Sequence, residues 1–121
     1  MTVKAQKFAS LLEQVCTRNI GPAAAAVDAN GEFPYRSIDA LKTAGLMGAV
    51  SAREAGGLGL GFGAAAAIVR RVAQECGSTA MVLCMHYCGA AVLEAYAPLQ
   101  VFAGRGQATP RSARCAISDR K

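Results

Sequence analysis

An all-α fold is what this sequence predicts, and three observations predict it. Apolar residues recur at helical spacing, as in Phe8, Leu11, Leu12 and Val15 at i, i+3, i+4 and i+7. Breakers stand where helices should end: Gly21-Pro22, Asn30-Gly31, Gly45, Gly77 and Pro98. No segment alternates with the period of two that a half-buried strand requires.

The first helix carries Lys4, Lys7 and Glu13 around the rest of its circumference, and Thr2 is placed to cap it. Gly21-Pro22 interrupts the pattern, but the alanine run at residues 23–26 has high intrinsic helicity, so the helix resumes with a kink up to Asp28. Pro34 suits the first turn of a second helix, of about three turns, with Ile38 and Leu41 on its buried side and Gly45 just past its end. Residues 46–63 hold five glycines between Gly56 and Gly63 and should form an ordered loop. Residues 64–75 form a third helix, with Ile68, Val69 and Val72 apolar and Arg70, Arg71, Gln74 and Glu75 polar. After Gly77, Ser78 or Thr79 can cap a fourth helix running to about Tyr96 and stopped by Pro98. Its apolar residues surround nearly the whole circumference, which predicts the central, most buried helix.

The 121 residues are enough for one domain with a core of its own, without disulfides or a metal. The longest apolar block, residues 80–93, is broken by His86 and falls short of the ~18–20 residues of a membrane span. Residues 1–15 lack the continuous apolar stretch of a secretory signal, so a cytoplasmic protein is expected. Cys16, Cys76, Cys84, Cys88 and Cys115 form an odd set that reads as reduced, buried thiols. The net charge of +5 invites a nucleic-acid reading, but it is unevenly spread. Residues 1–100 hold eight bases and seven acids, whereas residues 101–121 hold five bases and one acid. From residue 99 onward the periodic signals also stop, and a basic unstructured tail is expected. Domain limits of 1–98 and 99–121 follow.

Candidate chemistry is sparse. Gly59, Gly61 and Ala64 match a relaxed dinucleotide fingerprint, G-x-G-x-x-A, but no strand leads in and no acid follows near Thr79. A loop that needs positive φ explains the glycines better. Cys84, His86 and Cys88 suggest a metal cluster until they are placed on a helix, where His86 points about 200° away from Cys84. With one histidine in the chain, no tetrahedral set can be completed, and no metal is expected. Ser10 and Ser78 have no partner base, so no catalytic residue is assigned. His86 has two readings. A hydrogen-bonded core histidine is the commoner case, since buried polar groups find partners. Gly89 and Ala90, three and four residues on, leave a shallow helix surface that could instead admit a ligand beside Met85, His86 and Gly89, or let another helix approach.

Taken in order, Asp28, Glu32-Phe33-Pro34, Leu41, Ala44-Gly45-Leu46-Met47-Gly48, Glu54-Ala55-Gly56-Gly57-Leu58-Gly59, Glu75-Cys76-Gly77-Ser78-Thr79-Ala80-Met81 and His86 resemble the N-terminal helical domain of acyl-CoA dehydrogenases. The resemblance spans residues 8–98. It implies a FAD flavoprotein of fatty-acid metabolism with three domains, usually tetrameric, that desaturates acyl-CoA thioesters at the α,β bond. In that chemistry a carboxylate takes the α-proton and the β-hydrogen leaves as hydride to the flavin. The family's base lies in the C-terminal domain, and most flavin contacts come from the middle and C-terminal domains. The helical domain walls the acyl pocket through the segments matching residues 46–63 and 78–96, which makes Met85, His86 and Gly89 the substrate-pocket candidates.

Residues 99–121 match nothing in that pattern, as a frameshift followed by a stop would produce; an uninterrupted normal frame in close relatives would exclude this. The expectation is therefore a truncated, inactive fragment that binds no FAD alone and self-associates through an apolar face left uncovered. Flavin-dependent monooxygenases of the same superfamily are the alternative, and some place a histidine of the matching helix near the flavin. A small helical binding module with a basic tail is a further alternative; against it, the seven aromatics are not interleaved with bases, and no nucleic-acid partner is expected.

Overall fold

The computed structural model describes the backbone of residues 3–96 and the side-chain surroundings of residues 6–96. Thr2, Pro98, Cys115 and the tail, on which several expectations rest, lie outside the described residues. Among the described residues five α-helices follow in order: α1 (Val3–Val15), α2 (Gly21–Asn30), α3 (Tyr35–Thr43), α4 (Phe62–Ala73) and α5 (Gly77–Tyr96). Among the described residues there is no strand.

The kink expected at Gly21-Pro22 takes a specific form. Between α1 and α2 lies a π-helical turn, Cys16–Ile20, closed by the amide of Gly21 on the carbonyl of Cys16. In a regular helix the ring of Pro22 would collide with the carbonyl four residues back, and it has no N–H to donate. One extra residue in the turn relieves both problems, and Pro22 then sits in the first turn of α2. The widened turn keeps Cys16 and Ile20 on one side, where both are fully buried. A Cβ at Gly21 would lie 2.8 Å from Oε2 of Glu75.

Gly31 ends α2 with φ +62°, and Gly45 follows α3 with φ +76°, both conformations that glycine adopts without cost. Pro34 precedes α3 rather than opening its first turn, and α3 buries Leu41 with Ser37 while Ile38 is half-buried. Leu41 joins Val15, Cys16, Ile20, Val27, Leu46, Ile68, Val72, Leu83 and Tyr87 in one core shared by every helix.

α4 and α5 are joined by residues 74–76 and pack along each other. Ala65, Ile68 and Val72 of α4 meet a layer formed by Thr79, Ala80, Leu83 and Tyr87 of α5. Neither Ser78 nor Thr79 caps α5, because the helix already starts at Gly77, and the amide of Ala80 bonds the carbonyl of Cys76. Thr79 is fully buried instead, and its Oγ1 has no hydrogen-bond partner.

Three expectations about α5 are corrected. It is not the central, most buried helix: one side is buried, while Met81, Met85, Val92 and Tyr96 stand 63%, 62%, 58% and 84% exposed on the other. The uniform apolar wheel conceals a one-sided packing, because nothing within the described domain covers the second side. Nor are the cysteines uniformly buried, since Cys84 is half-buried and Cys88 is exposed on that outer side. Finally, the unbroken 20-residue helix is long and apolar enough to cross a membrane by length and composition alone, which the count of an interrupted block missed.

Candidate functional site

Residues 46–60 are the segment that α5 holds. A 3₁₀ turn, Leu46–Gly48, and a second, Arg53–Ala55, are followed by a folded loop with Gly56 at φ +83° and Gly59 at φ +62°. The loop satisfies itself: the amides of Leu58, Gly59 and Leu60 bond the carbonyls of Gly48, Ser51 and Ala49 at 2.8–2.9 Å. Gly57 packs so closely that a Cβ there would overlap the Ser51 carbonyl. Only glycine fits this position, which explains part of the glycine cluster without a ligand.

Three side chains of α5 then fasten the loop. Tyr87, buried, donates its phenolic hydrogen to the carbonyl of Leu46 at 2.6 Å. His86 places Nε2 at 2.8 Å from the carbonyl of Met47. A carbonyl can only accept, so Nε2 carries a hydrogen. Glu94 receives the amide of Ala52 on both carboxylate oxygens, each at 3.0 Å. Burial holds the Tyr87 phenol well above its ordinary pKa.

Of the three pocket candidates, Met85 and Gly89 lie on the outer, exposed side of α5, and a Cβ on Gly89 would meet nothing within 4 Å. His86 sits at the margin between the two sides: it is hydrogen-bonded, as the commoner reading of a lone histidine held, yet it is exposed rather than in the core. The three therefore form an open wall. Two hollows of about 360 and 700 Å³ lie elsewhere, beside α2–α3 and α1–α3, and neither includes them.

Sequence reasoning missed Tyr87 and Glu94 as anchors. A signal for Glu94 was present, since it is the only charged residue in α5 and an isolated acid in an apolar helix needs a partner. For Tyr87 nothing in the spacing distinguishes an anchor from a packed aromatic ring.

Apart from the loop, Arg71 of α4 ties α1 to the end of α4. Its guanidinium donates Nε and Nη2 to Glu13 at 2.8 and 2.7 Å, and Nη1 to Glu75 at 2.9 Å. Hydrogen bonding from Arg71 lowers the pKa of Glu13, and the two carboxylates together raise that of Arg71. Desolvation raises the Cys16 thiol, which keeps it protonated and unreactive.

The last long helix of this helical domain thus clamps a glycine-rich loop on its inner side and turns an uncharged face outward. The family described as acyl-CoA dehydrogenase, N-terminal domain, matches residues 2–99, and the chain belongs to it. Neither the curated proteins nor the solved structures compared with the chain give a significant match.

That family is FAD-dependent. Residues 55–60 of the glycine-rich loop offer no free amide to a flavin pyrophosphate. A pyrophosphate needs free backbone amides at a glycine-rich turn, and here the amides of residues 55–60 are all spent on carbonyls of residues 48–53.

Proposed function

We propose that this chain is the acyl-pocket wall of an acyl-CoA dehydrogenase-like flavoprotein, with Met85, His86 and Gly89 facing the acyl chain, and that the 121-residue polypeptide alone does not catalyse desaturation. The observation that carries the reading is the two-sided α5: its inner side is committed to the core and to the loop, and its outer side is apolar and bears no acid. The only carboxylate of α5, Glu94, already accepts the Ala52 amide, so it is not free to remove an α-proton. Gly89 leaves room where an acyl chain could lie against the helix backbone.

The purified 121-residue chain is expected to carry no flavin absorbance and to reduce no electron acceptor when given acyl-CoA. Stoichiometric FAD together with turnover would overturn the proposal. Exposure of His86 with Nδ1 free favours one alternative, a flavin-dependent monooxygenase of the same superfamily. A glutamate base in the C-terminal domain of a full-length parent decides for the dehydrogenase.

A further inference from the structure

We infer that the outer side of α5 is a self-pairing surface, on which a second copy of this chain lays its own α5 antiparallel about a two-fold axis between Cys88 and Gly89. At about 100° per residue, Met81, Met85, Cys88, Gly89, Val92 and Tyr96 fall on one side of the helix, opposite the buried Thr79, Leu83 and Tyr87. The exposed stripe is symmetric in size about its midpoint. With the axis there, Met81 meets the partner's Tyr96, Met85 meets the partner's Val92, and Cys88 meets the partner's Gly89. Large side chains then oppose large ones at both ends, and the smallest pair sits at the crossing, where helix backbones come closest.

Charge favours the same occupant. A two-fold axis sets each group against its own kind, so a charged stripe would repel itself. This one holds no charged residue, because Glu94 is turned inward to Ala52. Residues 105–121 carry five bases and one acid and offer a poor match to an uncharged apolar strip. The exposed side chains supply on the order of 500 Å² per copy, at the upper end of the apolar patches of monomers and below the ~800 Å² per partner of a standard interface. Association is therefore of the weak, concentration-dependent class. The inference does not depend on the flavoprotein reading, although pairing would occupy Met85 and Gly89 and so compete with an acyl chain there.

Sedimentation equilibrium of the 121-residue chain tests it. The weight-average mass is expected to rise with concentration from 12.4 kDa toward twice that value. Met85→Asp with Val92→Asp, both on exposed positions that leave the core intact by circular dichroism, should weaken the dimer at least tenfold. Mixing that variant with Met85→Lys plus Val92→Lys should restore a heterodimer, since the register sets position 85 against position 92. A wild-type chain that stays monomeric at all concentrations, including one that partitions into lipid vesicles as a monomer, overturns the inference. So does a dimer indifferent to the aspartates, or aspartate and lysine variants that fail to pair.

Discussion

The phenolic oxygen of Tyr87 lies 2.6 Å from the carbonyl oxygen of Leu46, 41 residues away in the chain, and this bond seats the loop on the last helix. Leu46 is itself fully buried, so its carbonyl has no water to turn to. Tyr87→Phe leaves that acceptor unpaired and should cost about 1–2 kcal/mol. In thermal denaturation this appears as a midpoint lowered by roughly 5–10 °C for a domain of this size. The raised pKa of Tyr87 also has a sign. A group whose pKa is higher folded than unfolded contributes stability that is complete below the unfolded value, near 10, and is lost as pH rises through the folded one. Wild-type stability should therefore fall on the alkaline side of pH 10 more steeply than that of Tyr87→Phe.

Glu94 acts farther along the same loop. Removing its carboxylate with Glu94→Ala frees the Ala52 amide without touching the core contacts of α4. Hydrogen exchange at Ala52 should accelerate tenfold or more, while amides in the middle of α4 change little. Equal acceleration throughout would show that the loop and the helices unfold together.

Acid should loosen the junction of α1 with α4. Glu13 has a lowered pKa because Arg71 donates to it, so its contribution is present above the ordinary value of 4.5 and disappears as pH falls through the lower folded value. Glu13→Gln should flatten the stability profile in that acid range. The difference at neutral pH should be small, because the pair is solvent-exposed and screened.

Two glycines should respond oppositely to alanine. Gly57→Ala forces a methyl group onto the Ser51 backbone and should destabilise by about 1–3 kcal/mol or more, with loss of loop protection in hydrogen exchange. Gly63, within α4, has open space around it and negative φ, so Gly63→Ala should stabilise by about 0.4–1 kcal/mol. Urea unfolding of the two variants measures both effects.

Much of the fold is legible in the sequence because its signals are local. Phe8, Leu12 and Val15 mark the inner side of α1, Gly31 and Gly45 mark turns only glycine enters easily, and Gly77 marks where α5 begins. The family is legible too, through short segments in a fixed order. What the π turn at Cys16–Ile20 does, and where the loop amides go, is not legible, because each depends on the geometry of neighbouring turns. The candidate wall was half readable. That Met85 and Gly89 share the last long helix is legible in the sequence, but the exposure of His86 and the anchoring by Tyr87 and Glu94 depend on residues about 40 positions away.

By itself the sequence determined that the chain is helical, where its helices break, that its described part is close to neutral, and which family it resembles. Only the tertiary structure decided which side of α5 is the inside. An apolar residue carries the same hydropathy on either side of a helix, so periodicity cannot choose between two apolar faces. The choice is made by what packs there: Ile68 and Val72 against one side, with Leu46, Met47 and Ala52 offering hydrogen-bond partners along it, and nothing in the described domain against Met81, Met85, Val92 and Tyr96.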